Sequence, residues 1–274
     1  MKRPAATLAA HTVLLFYTAL ALFPVVLVIV NSFKGRLAIF RTPYAPPTPE
    51  TWDLAGYRTV LGGADFPLYF RNSLVVTLAS LALILWVSSM AAFALAEYPF
   101  PGNTLLGLYL ALGIMVPIRL GTVSLLQMMV RLGLTNTLLA LILVYAAAGI
   151  PLAVFILTQF MRQVPKDLKD AARIDGASEY RIYALVLPLV RPALGTVAVF
   201  NMIPIWNDLW FPLILAPAER TKTVILGAQV FLGQYINDWN AVLAALTLAM
   251  VPVIVLYVLF SRQLIRGLTA GSVK

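Results

Sequence analysis

Two charged residues, Arg119 and Asp208, stand inside apolar stretches of this sequence. A charge withdrawn from water is costly unless it faces a cavity or an opposite charge. Each lies about fifteen residues from the start of its apolar run, roughly 22 Å along a helix rising about 1.5 Å per residue. If the two helices run in the same direction, the charges are level and can pair. The other reading is that one or both snorkel to the headgroup layer. Trp206, Asn207 and Trp210 accompany Asp208. Aromatic faces stack on the apolar faces of sugar rings and amides hydrogen-bond hydroxyls, so these residues are candidates for lining a sugar path. The alternative for them is an interfacial aromatic belt.

Catalytic chemistry has little to work with. The chain has no cysteine and one histidine, His11, so no thiol, Ser/His/Asp or Cys/His machinery can be assembled. No metal site is expected. The glycine-rich loop with Lys-Ser/Thr that cradles nucleotide phosphates is also absent. The chain is expected to be non-catalytic and to bind no cofactor.

The elements that position these residues follow from composition. Of 274 residues, 61% are hydrophobic and 11% charged, against about 25% charged in soluble domains. So few charges cannot cover a surface facing water, and lipid must be part of the solvent. The net charge of +9 would suggest nucleic acid in a soluble protein. Here Lys and Arg flank apolar runs, the pattern of topology signals and lipid contacts. Membrane lipid is therefore the expected partner, and nucleic acid is not.

Six apolar runs are long enough to span. The first, about Thr12–Val30, follows Lys2 and Arg3 and exceeds a signal-peptide core, so it is read as a retained helix. The others are about Asn72–Leu95, Thr104–Leu126, Leu138–Phe160, Ala193–Ala216 and Ala241–Phe260. Gly113 and Pro117 are expected to bend the third, and Pro204 and Pro212 to make the fifth irregular. Phe33–Pro67, with Pro43, Pro46, Pro47 and Pro49, is expected to be an extended surface loop. The basic stretch Met161–Pro192 and both termini fall on one side, which the positive-inside rule assigns to the cytoplasm.

Inside that basic stretch, Pro165 can open a short helix at its first position and Gly176 can close it. Ser178 can cap a second helix that ends near Pro188. Two short helices joined at a glycine, with Ala171 and Ala172 keeping the hinge thin, suit docking into a groove on a partner.

This stretch resembles the EAA loop of ABC importer permeases, which reads Glu-Ala-Ala, three residues, Gly, a spacer, then Ile-x-Leu-Pro. The matching positions are Asp170, Ala171, Ala172, Gly176, Val186, Leu187 and Pro188. Ala172-Arg-Ile-Asp175-Gly-Ala177-Ser178 is similar to the carbohydrate-uptake group, relatives of the smaller membrane subunit of maltose-type transporters. The resemblance extends to Asn72-Ser73, the Tyr98–Gly102 turn, Trp206-Asn207-Asp208 and the ending Arg266–Lys274. Asp170 in place of Glu shortens the reach of the first carboxylate, which puts a salt bridge from that position in doubt.

The resemblance implies an all-α membrane protein of about six transmembrane helices with a cytoplasmic coupling-helix loop. Residues 1–70 would hold the first helix and external loop. Residues 71–265 would be the importer core, with the EAA-type loop at 161–192, and 266–274 a cytoplasmic tail. Asp170, Ala171, Ala172, Asp175, Gly176, Ala177 and Pro188 would couple to an ATPase subunit, where ATP and Mg would bind. Gly233, Gln234, Tyr235 and Asn237 would contact an extracellular or periplasmic sugar-binding protein. The implied partners also include a second homologous permease and two ATP-binding subunits, in a bacterial inner membrane. The rival readings are a secondary transporter not driven by ATP, an ABC permease for a non-sugar such as glycerol phosphate, and a membrane scaffold with no pathway.

Overall fold

The computed structural model describes residues 4–62, 65–232 and 238–270. Every regular element among them is helical, and Lys34 and Trp52 form an isolated β-bridge. The chain divides into two compact units, Met1–Pro67 with Val224–Val251, and Leu68–Thr223 with Pro252–Lys274.

In the first unit α1 spans Pro4–Ser32, followed by α2 at Arg36–Arg41 and α3 at Ala55–Gly62. The expected extended loop is thus interrupted by two short helices, and the proline cluster between them stays irregular. Proline removes an amide donor and clashes with the preceding turn, but its effect is local and does not reach α2 or α3. Lys34 is fully buried here: its Nζ donates to Asn31 Oδ1 at 3.0 Å and to the Thr42 carbonyl at 2.8 Å. The Lys34 carbonyl in turn accepts from Asn240 Nδ2 at 2.7 Å. A Cβ on Gly56 would stand 2.2 Å from the Asn240 carbonyl oxygen, so α3 meets the later part of this unit backbone to backbone.

The second unit carries α4 at Phe66–Glu97, α5 at Asn103–Met115, α6 at Thr122–Arg131 and α7 at Leu138–Arg162. Next come α8 at Lys166–Ile174, α9 at Glu179–Leu189, α10 at Arg191–Trp206 and α11 at Trp210–Leu215. The chain then returns to the first unit for α12 at Val224–Ala228, and α13 at Trp239–Ala270 runs through both. Small residues let the helices of the second unit close up. A Cβ on Gly149 of α7 would lie 2.3 Å from Asn201 Oδ1 of α10 and 2.5 Å from Ile84 Cδ1 of α4. Such contacts suit a lipid solvent, where van der Waals packing rather than water exclusion draws helices together.

By length and composition, three described helices can cross a membrane, Thr7–Ser32, Phe66–Glu97 and Leu138–Arg162. The number rises to five if each sharply bent pair is one span. The run expected as one bent helix over Thr104–Leu126 is two helices at 83°, with a 3₁₀ turn at Ile118–Gly121 after Pro117. The run expected over Ala193–Ala216 breaks after Trp206 and resumes at Trp210, so the interruption falls between its two prolines.

Candidate functional site

The first group of candidate residues forms the joint between α8 and α9. Pro165 stands one residue before α8 with an extended backbone rather than at its first helical position. At the other end Gly176 adopts φ +76°, a left-handed conformation that costs other residues roughly 1 kcal/mol or more. That backbone turns two amides onto the helix end. Ala177 N donates to the Ala172 carbonyl at 2.9 Å and Gly176 N to the Arg173 carbonyl at 3.0 Å. Together they make the paired C-terminal closure of a Schellman motif. Asp175 N completes the last turn on the Ala171 carbonyl at 3.0 Å. A Cβ on Gly176 would meet nothing within 4 Å, so glycine is favoured there by backbone conformation alone, and the surface over the joint is open.

Ser178 takes the N-cap position of α9, but its side chain makes no capping bond. Its carbonyl instead accepts Arg181 N at 2.8 Å and Ile182 N at 3.0 Å. Pro188 lies in the last turn of α9, which ends at Leu189, close to the expected boundary. Two side chains absent from the sequence-based site flank the glycine, Ile174 at 87% exposure and Tyr180 at 79%. Single exposed apolar side chains are ordinary, so residue type alone did not mark them in the sequence.

The joint is held to the end of α4 by charge. Arg173 Nη2 donates to Glu97 Oε1 at 2.7 Å, Nη1 to Asp170 Oδ1 at 2.9 Å and Nε to Glu179 Oε1 at 3.0 Å. The buried Lys169 also pairs with Glu97, and Tyr98 Oη donates to Glu179. Glu179 and Glu97 raise the Arg173 pKa further above its ordinary value. Burial first, and then the bond to Glu179, push Tyr98 up to about 12. Asp170 therefore makes its ion pair within α8, one turn from Arg173, and the link to the rest of the unit belongs to Glu97, Lys169 and Arg173.

The second group sits where two helices break. Arg119 lies in the 3₁₀ turn after α5, and Asp208 lies between α10 and α11. The side chains meet, with Arg119 Nη2 donating to Asp208 Oδ1 at 3.4 Å. Asp208 is buried and does more than pair. Its Oδ1 accepts Trp210 N at 3.2 Å, and its Oδ2 accepts Phe211 N at 3.1 Å and Tyr145 Oη at 2.9 Å. The free amides that open α11 thus end on one carboxylate, which also suits the dipole of a helix start. Trp210 Nε1 donates to Thr122 Oγ1 at 3.0 Å, a second tie between the two breaks. The candidates separate here. Arg119, Asn207 and Trp210 are exposed. Trp206 is buried edge-on against Phe70, with ring centroids 5.7 Å apart, so its faces are closed to a ligand in this arrangement. Gly233, Gln234, Tyr235 and Asn237 lie outside the described residues.

Among the described residues no cluster of His, Cys, Asp or Glu could hold a metal ion.

The family model described as "Binding-protein-dependent transport system inner membrane component" matches residues 103–270. The diacetylchitobiose uptake system permease protein NgcG of Streptomyces coelicolor is 31% identical over 96% of this chain and 87% of that protein. The arabinooligosaccharides transport system permease protein AraQ of Halalkalibacterium halodurans is 34% identical, over 94% and 93% respectively. The trehalose/maltose transport system permease protein MalG of Thermococcus litoralis is 32% identical, over 93% and 92%. Among solved structures, a bacterial ABC transporter involved in the import of the acidic polysaccharide alginate superposes with a TM-score of 0.82. It covers 94% of this chain and 96% of its own at 20% identity, a likeness of fold.

Proposed function

The chain belongs to the family of binding-protein-dependent transport system inner membrane components, and from that premise we propose how its parts work. It is a permease subunit of an ABC importer for sugars, as its relatives' systems are. These relatives favour neither an ATP-independent transporter nor a glycerol-phosphate permease. The subunit has about six spans with both termini in the cytoplasm of a bacterial inner membrane. In it, α8 and α9 form the element that docks on an ATP-binding partner, where hydrolysis takes place. A second permease subunit supplies the other half of the pathway, two ATP-binding subunits drive it, and a sugar-binding protein delivers the cargo outside. Arg119, Asn207 and Trp210 face that pathway, and Asp208 holds the two broken helices around it.

One observation carries the coupling role: Ile174 and Tyr180 stand exposed on either side of an open left-handed glycine, on a joint anchored to Glu97. An apolar tip on a charged, rigid base suits insertion into a partner's groove. The test is co-purification of the chain with its second permease and ATPase subunit. Ile174→Asp is expected to release the ATPase subunit or uncouple its hydrolysis from the sugar-loaded binding protein. Gly176→Asn, which tolerates the left-handed backbone, is expected to retain both. Full coupling in Ile174→Asp would remove the docking role from this joint.

A further inference from the structure

Helices α5 and α7 are not packed along their whole shared length. They touch where a Cβ on Gly113 would come within 3.0 Å of Pro151 Cγ. Towards the end of α7 next to α8 they part, leaving a groove of about 400 Å³. Its floor is the buried Leu95 and Val154, and Leu108 and Phe155 form its sides. A Cβ on Gly107 would meet nothing within 4 Å, so the groove is open at that glycine. From Asn103 to Ala111 it follows α5 for roughly 12 Å at about 1.5 Å per residue. That is close to one leaflet of hydrocarbon, about half of a core roughly 30 Å thick.

The mouth differs in character. Arg162, the last residue of α7, lines both the apolar groove and an adjoining polar cleft with Glu97, Lys166 and Lys169. Glu97 is already taken by Lys169 and Arg173. Arg162 and Lys166 are exposed and have no carboxylate partner among the described residues. An apolar slot of one leaflet's depth ending at two unmatched cations complements an acyl chain joined to a phosphate.

We propose that the α5–α7 groove binds one anionic phospholipid, with an acyl chain between Gly107 and Phe155 and the phosphate at Arg162 and Lys166. Neither Arg162 nor Gly107 belongs to the docking joint or to the Asp208 network. The site lies beside α8, so its occupant would brace the base of the joint.

The test uses the full chain with its partner subunits in nanodiscs containing phosphatidylglycerol and phosphatidylcholine, with retained lipid counted by native mass spectrometry. The wild type is expected to keep phosphatidylglycerol in preference. Arg162→Gln is expected to weaken that retention about fivefold, one basic residue's share at an anionic surface. Gly107→Leu, whose side chain enters open space, is expected to abolish it while the complex stays assembled. Equal retention of the two lipids, or undiminished retention in Gly107→Leu, would overturn the proposal. So would shielding of Gly107→Cys by the second permease in lipid-free detergent, since that thiol is unique in a chain without cysteine and its protection would mark the groove as a subunit contact.

Discussion

Two of the interrupted helical paths in the second unit, at Gly176 and at Asp208, are mended in opposite ways. At Gly176 the backbone closes itself, with two amides returned to the end of α8 by one left-handed residue. The charges around it are shared among Glu97, Asp170 and Glu179. At Asp208 the backbone closes only the end of α10, and for the start of α11 one carboxylate accepts two amides, together with a phenol and a guanidinium. Water explains the difference. At an exposed joint an imperfect bond is repaired by solvent. In a buried break every donor must find its acceptor inside the protein. The exposed joint is therefore redundant, and the buried one depends on a single side chain.

Substitution of Asp208 should show that dependence most strongly. Asp208→Ala leaves the amides of Trp210 and Phe211 and the Tyr145 hydroxyl without their acceptor, a loss of about 3 kcal/mol or more. The expected outcome is a large drop in the thermal midpoint of the purified complex. Arg119→Ala is the internal contrast. The Arg119 side chain is 68% exposed and its bond is 3.4 Å long, so its removal should cost about 1 kcal/mol at most. Equal losses in the two variants would mean that the ion pair, not the amide bonds, holds the break.

Glu97→Gln comes next. Lys169 and Glu97 have side chains 7% and 6% exposed, and removing one charge of a buried pair costs roughly 3 kcal/mol. Arg173 keeps Asp170 and Glu179, which should hold the loss below that of Asp208→Ala. In a double-mutant cycle, adding Lys169→Met to Glu97→Gln should recover part of the cost, because no uncompensated ammonium remains. Strict additivity would show that the two side chains do not share their energy.

Local signals carried much of this structure in the sequence. Pro165, Gly176 and Ser178 bounded α8 and α9 to within a residue, since turn and cap chemistry acts over a few positions. Four of the six apolar runs form long helices for the same reason, and the other two break. The break at Asp208 was less legible. Its prolines drew attention, yet α10 continues through Pro204 to Trp206, and the break falls where an acid can replace the missing amide partners. Pairing across distance was legible where charges stood inside apolar runs, as for Arg119 and Asp208, and not elsewhere. Glu97 stands 72 residues from Lys169 and 76 from Arg173, and no local rule relates an acid closing one helix to two bases in another loop. The burial of Trp206 had the same cause: its residue type suited a sugar face, and only the packing of Phe70 against it decided otherwise.

The smallest expected effects test the redundant joint. Gly176→Ala should cost roughly 1 kcal/mol through its left-handed backbone, and Gly176→Asn less. Tyr98→Phe removes one bond to Glu179 at a cost of about 1 kcal/mol, and its pH dependence has a definite sign. The Tyr98 pKa is raised to about 12 from the ordinary 10.0, so the folded joint favours the protonated phenol. Its contribution is complete below the ordinary value and is lost as pH rises towards the folded one. The difference in phenolate absorbance between wild type and Tyr98→Phe should therefore appear only above the range in which exposed tyrosines ionise. A difference that titrates near the ordinary value would mean the phenol is not held by Glu179. The joint would then rest on the pairs that Lys169 and Arg173 make with Glu97, and its contrast with the single-carboxylate break would narrow.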